Sequence, residues 1–469
     1  MPPTPTTVQV YQPRNGRTRL FLDLPYDRAG MSLQERRQKM LRKRLKWSVL
    51  GLLALVVGLL SATRPGSVFG GPTFAPAALP NIGLVCTTGS VSGTQVVFNL
   101  TTATGFYSGP DGNQVFMWGF GDADSGGAFQ MPGPVLCVHE GDTVTINLTN
   151  TLPDPVSLVF PGQENVAAAG DQQGLFTWEA AANTGSASYT FTAGHPGTFL
   201  YESGTQPYKQ IQMGLYGMLV VRPAMGDNFA YNDPDTQFRN EFMLLLHEID
   251  PELHARVERG EPYIVSERHD RYWTINGRSM PDLIADNFVD WLKGQPYGAL
   301  VRVEAGDSLP VLLRFANAGW ENHPFHPHGN HMTVIARDGQ PLPQKFQNFT
   351  TTIGSGQAYD LLFRWDNVEA WDVSANPLPV PMPPAGPFPD RQNVVYKDGV
   401  TFYSGNPYLG EGGATAYQDS FPPGTTVFNE CGEFYFPWHS HALDEVQNFD
   451  EGFGGMLTLV RVDPPGGCP

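Results

Sequence analysis

The residues best suited to chemistry in this chain are histidines in two short runs: His323, His326, His328 and His331 in the first, and His439 and His441, on either side of Ser440, in the second. Six of the eleven histidines fall there. Side chains two apart on an extended segment point the same way. His326 with His328, and His439 with His441, therefore each present two imidazoles to one point, an arrangement that holds copper or zinc. His139, His195, His247, His254 and His269 have no partner at that spacing and read as structural or surface residues. The residue between the second pair limits the chemistry. A Cys there would supply a thiolate for a one-electron copper site, and the Ser440 hydroxyl is too weak an acid and too hard a donor to replace it. The competing reading is that the imidazoles satisfy hydrogen bonds between strands and bind no metal.

The order His323-Pro-Phe-His326-Pro-His328-Gly329, then His439-Ser440-His441, resembles the motifs of the multicopper oxidases, which are built of cupredoxin domains. The segments Pro132–Asp142, Gly197–Tyr201, Gly214–Val220 and Gly455–Val460 extend the similarity over roughly Asn81 to Val462. The resemblance implies four His-x-His pairs around a three-copper cluster between the first and last domains. The two first-domain pairs would fall in Ser157–Gly162 and Tyr201–Gly204, and neither stretch contains a histidine. It also implies a one-electron copper on His323, a Cys at position 440 and a His five residues later. Here those last two positions are Ser440 and Glu445, and Met456 comes too late for the usual axial ligand. Half the cluster set remains and the electron entry is gone, so four-electron reduction of oxygen is not expected. What the pattern leaves is one copper, with zinc as the alternative metal. Its candidate ligands are His326, His328, His439 and His441, joined by His323 and by Glu202, which stands in a ligand slot of the first domain.

The elements that must position these residues are strands. In Thr143–Thr149 apolar residues take every second place, as a strand with one face in a core requires. Val301–Asp307 with Val311–Phe315 repeats the organisation of Val138–Asp142 and the strand after it, which argues for two β-sandwich domains of one kind. The expected fold is all-β: two cupredoxin-like Greek-key sandwiches, 81–222 and 271–465, after a single N-terminal transmembrane helix. Between them, 223–270 holds a strand over Phe242–Ile249 and a short helix that begins at Pro251. An insertion over about 376–424, rich in Pro, Gly, Tyr and Asn, reads as a packing or interaction loop.

Trp47–Thr63 is uncharged and mostly apolar, and as a helix it would span about 26 Å. Seven Lys and Arg in Arg36–Lys46 precede it, which places a basic arm, 1–46, in the cytoplasm and everything after a stalk, 64–80, in the periplasm or outside the cell. A cleaved signal peptide with a long basic leader is the competing interpretation. The arm carries a net +8 of the chain's −17, leaving −25 beyond it. So acidic a body excludes nucleic acid as a partner and attracts cations. The expected partners are the membrane, through the anchor, a membrane-protein complex, and further copies of the chain in a homo-oligomer. All four cysteines lie beyond the anchor, and of their three possible connectivities the expected one is pairing within domains, Cys86 with Cys137 and Cys431 with Cys468. Two functions fit: a membrane-anchored, multicopper-oxidase-like protein with one copper, or a non-catalytic accessory subunit of a membrane complex.

Overall fold

A computed structural model describes residues 81–366, 396–397, 400–403, 434–452 and 454–467. The basic arm, the apolar span, the stalk, most of the insertion and the Cys431–Cys468 pair lie outside the described residues. Among the described residues no helix is long and apolar enough to cross a membrane.

The described chain is mostly β, in four larger sheets. Two are built from residues 90–222 and two from 241–463. The alternation in the first half is realised as the Thr143–Asn150 strand, where Val144, Ile146, Leu148 and Asn150 are buried and the residues between them are more exposed. The internal echo also has a structural counterpart. Leu136–His139 runs parallel to Tyr216–Arg222, the last strand of the first sandwich, and Val301–Glu304 runs parallel to Leu457–Asp463, the last strand of the second.

The Glu241–Ile249 strand does more than link the halves. It pairs in parallel with Val311–Asn317 and antiparallel with Tyr272–Ile275, so it is an inner strand of the second sandwich. Its period-two alternation explains why it is apolar on both faces. Phe242, Leu244 and Leu246 enter the core of the second sandwich. Met243, Leu245 and Ile249 face the other way and pack with Leu200, Tyr216 and Met218 of the first. The expected helix is Pro251–Glu258, with Pro in its first turn and the Asp250 carboxylate accepting the Glu252 and Leu253 amides as an N-cap.

Cys86 and Cys137 are bonded, as the sequence suggested, and tie the entry segment to the Leu136–His139 strand. The bridge spans 51 residues. Loop-closure entropy for a loop of that length amounts to about 4 kcal/mol. The double variant Cys86→Ser/Cys137→Ser is expected to lose about that much unfolding free energy in guanidinium titrations. A loss under about 1 kcal/mol would show that the reduced chain is already restrained there.

Candidate metal centre

The His323–Pro327 strand runs antiparallel to Phe434–Ser440, with His326 opposite His439, Phe325 opposite Ser440 and Pro327 opposite Trp438. Side-chain parity then divides the motif. His323, Phe325 and Pro327 point inward, whereas Pro324 and His326 lie on the outer side. His326, His328, His439 and His441 share that outer side, and Ser440 is fully buried behind them.

The four outer imidazoles are gathered. Ring centroids lie 4.9 Å apart for His326 and His328, 5.0 Å for His326 and His441, 5.2 Å for His328 and His439, and 5.8 Å for His439 and His441. His326 Nδ1 is 2.8 Å from the Phe349 carbonyl and 2.9 Å from Thr350 Oγ1, and His439 Nδ1 is 2.7 Å from the Ser440 carbonyl. A carbonyl only accepts, so the proton of each of these rings sits on Nδ1 and its Nε2 carries a lone pair. His328 Nε2 lies 3.1 Å from His439 Nε2 and donates to it.

Electrostatics disfavour the charged form of three of these rings. Burial and the neighbouring imidazoles push His328 down to about 4. Burial first, then the surrounding rings, also lowers His326 and His439 against the opposing effect of their carbonyl partners. Neutral imidazoles are the form that binds metal. Two nitrogens at ordinary bond lengths on one ion stand roughly 2.9–3.4 Å apart between right-angle and tetrahedral geometry, and the 3.1 Å separation of His328 and His439 falls inside that range. The donor set therefore suits a borderline divalent ion. It is gathered rather than preset: among the described residues no three His, Cys, Asp or Glu side chains already converge as a ligand shell.

Two of the six candidate ligands are not brought to this cluster. His323, three residues before His326, is on the opposite face and fully buried, between Glu445 and Glu248. Parity alone separates it from the outer four. Glu202 makes no hydrogen bond or ion pair to the four imidazoles within the chain. It lies on the Gly197–Ser203 strand, opposite Val159 and Tyr216, on the face that carries Leu200 toward the second sandwich. Burial raises its carboxyl to about 7.

The sheet order gives Glu202 a counterpart in the second sandwich. Glu202 faces Val159 in the first sandwich as His439 faces His326 in the second, and Ser203 faces Leu158 as Ser440 faces Phe325. The first sandwich thus offers the same frame with a carboxylate and aliphatic groups in place of imidazoles. Among the remaining histidines, His247 and His254 are buried, with carbonyl and Gln212 partners, and His139 is exposed beside Asp227. Each has the structural or surface role expected of it.

Family models agree with this geometry: multicopper oxidase models match residues 127–225 and 266–386. The chain belongs to the multicopper oxidase family. The putative laccase-11 of Oryza sativa subsp. japonica is 27% identical over 311 residues, which is 65% of this chain and 52% of that protein. Laccase-17 of Arabidopsis thaliana is 24% identical over 238 residues, 50% of this chain and 38% of that protein. The chain spans about half or less of these relatives. In the fold, the blue copper oxidase from Nitrosomonas europaea is similar at a TM-score of 0.53 and 20% identity, covering 78% of this chain and 86% of that one. The multicopper oxidase mgLAC is similar at 0.52 and 19%, covering 79% and 86%. These two likenesses establish a cupredoxin-like architecture, and membership of the family implies copper. The Ser at 440, the Glu at 445 and the histidine-free slots at 157–162 and 201–204 are this member's departures from the family pattern.

Proposed function

We propose that this multicopper oxidase relative is held at the membrane by Trp47–Thr63 and binds a single copper through His326, His328, His439 and His441, without four-electron oxidase activity. The observation that carries the reading is the gathering of these four imidazoles on one face of two paired strands. Nε2 lone pairs on His326 and His439 are ready for a metal, and binding at His328 displaces its Nε2 proton. Of the divalent first-row ions, Cu²⁺ binds such an imidazole set most tightly, with zinc the competitor where copper is scarce. The acidic body raises the local cation concentration.

The absence of oxidase chemistry rests on residue identity. Ser440 supplies no thiolate, Glu445 supplies no imidazole, and the equivalent frame in the first sandwich holds Glu202 and Val159. Electrons have no route in, and a three-copper cluster lacks half its ligands. The buried charges around His323 support a second reading, that of an accessory subunit in a membrane complex, since ion pairs fill the position that the family pattern gives to a redox copper.

The deciding measurement is the copper and zinc content of the purified full-length chain after metal loading and exhaustive desalting, beside His439→Ala/His441→Ala. About one copper per chain, lost in the variant and lacking the intense thiolate absorption of a blue site, is expected. A chain that retains no metal sinks the copper reading and leaves the accessory one.

A further inference from the structure

The place that the family pattern gives to a one-electron copper is filled here by charge. His323 is fully buried, with Nδ1 2.8 Å from Glu445 Oε2 and Nε2 3.4 Å from Glu248 Oε2. The first contact is a hydrogen bond and the second a longer ion contact. We infer that Glu248, His323 and Glu445 form an ion bridge, held together by a proton rather than a metal, that positions the turn carrying His439 and His441. The inference uses the copper-site reading only for its metal-binding readout.

The proton follows from the geometry. A neutral imidazole has one N–H, yet both ring nitrogens face buried carboxylates. His323 Nε2 and Glu248 Oε2 have no hydrogen-bond partner among the described residues other than this mutual contact. Without a proton on Nε2, a lone pair would face a buried carboxylate oxygen 3.4 Å away. Burial works against the charged ring, but the contacts with Glu248 and Glu445 outweigh it and raise His323 to about 9.

The surroundings reserve Glu248 Oε2 for this contact. Glu248 Oε1 accepts from the Trp320 and Glu321 amides and lies 3.5 Å from Arg268, which also pairs with Asp270 and Glu321. His247, beside Glu248 on the same strand, is pushed down to about 4 by burial and stays neutral. Gly319 makes room: a Cβ there would stand 1.8 Å from Glu248 Oε2.

What the bridge holds is the chain just beyond the second imidazole pair. Glu445 ends the Leu443–Glu445 turn, and its carbonyl accepts from the Met456 amide. The Met456 carbonyl in turn accepts from Ser440, and the Pro324 carbonyl, one residue after His323, accepts from His441. The bridge is thus a side-chain fastening of a turn that backbone bonds also hold. Glu445 and Glu248 are positioning residues, and neither touches the metal.

The test is Glu445→Gln in the full-length chain, measured first without metal. In the wild type, nitrogen NMR of labelled histidine should find both His323 ring nitrogens protonated at pH 8. In the variant the ring should be neutral at that pH, and amide exchange at Ser440 and His441 should quicken by about tenfold. Copper affinity should fall roughly 10- to 100-fold with all four ligands intact. A neutral His323 in the wild type at pH 8, or unchanged exchange in Glu445→Gln, overturns the bridge. A wild type that binds no copper overturns the copper reading alone, because the metal-free measurements still decide this one. Should Glu445→Gln not fold, the wild-type spectrum and Glu248→Gln carry the same decision.

Discussion

Replacing Arg314 by Leu should lower the unfolding free energy by about 3–5 kcal/mol, the cost of leaving buried carboxylates without their cation. Arg314 is fully buried on the Val311–Asn317 strand. Its Nε donates to Glu241 Oε2 at 2.8 Å, its Nη1 donates to Thr198 Oγ1 at 3.1 Å, and Asp360 Oδ1 lies 3.6 Å away. Glu241 also pairs with Arg222, and Asp360 accepts from Thr198 and Tyr231. Thr198 and Arg222 belong to strands of the first sandwich, Glu241, Arg314 and Asp360 to strands of the second. The guanidinium therefore fastens the two sandwiches together. Burial raises the Glu241 carboxyl, but Arg314 and then Arg222 overcome that and hold it below the ordinary range. Guanidinium titrations of Arg314→Leu and of Arg314→Leu/Asp360→Leu check the argument. The double variant should recover part of the loss, since it removes the stranded carboxylate along with its cation. A single variant within about 1 kcal/mol of the wild type would show that water reaches the network and screens it.

The parts of this molecule legible in the sequence are those set by local pattern. Alternation in Thr143–Asn150, proline at the start of Pro251–Glu258 and a short reach between Cys86 and Cys137 each act within one element or between elements joined early. The motifs imply that the two His-x-His pairs meet at one site, and the register places His326 of one pair opposite His439 of the other. The ion networks were not legible. Glu248 lies 75 positions before His323, inside an apolar run that reads simply as a buried strand, and nothing near it in the chain announces a partner. The same is true of Arg314 and Asp360, each of which lies between a leucine and an aromatic residue and whose relation depends on strand order. His323 is different. Its odd offset from His326 puts it on the inner face, so its separation from the outer four follows from parity once the segment is taken as a strand.

A loss of stability traceable to one group should appear on the alkaline side. His323 is raised in the folded chain to about 9 from 6.5, so its contribution is complete below pH 6.5 and lost as pH rises through 9. At 1.36 kcal/mol per pKa unit, that contribution is on the order of 3 kcal/mol. Glu202, Asp270 and Asp282, each raised to about 7 chiefly by burial, also lose stability as pH rises, but they finish near pH 7. The His323 limb is therefore read between roughly pH 7.5 and 9. On the acid side the sign reverses. His247 and His254, lowered to about 4 by burial, favour the folded chain fully above pH 6.5 and lose that contribution as pH falls toward 4. Glu248, which its cationic and amide partners hold below the usual carboxylate range despite burial, adds to the acid limb. Buried tyrosines such as Tyr107 and Tyr201, raised above 10 by burial, act only at higher pH. Unfolding free energies from denaturant titrations at half-unit steps from pH 7 to 9.5 should fall as pH rises through the His323 range. In Glu445→Gln the loss between pH 7.5 and 9 should flatten. An alkaline limb unchanged by Glu445→Gln would assign the loss to another group and leave His323 neutral in the folded chain.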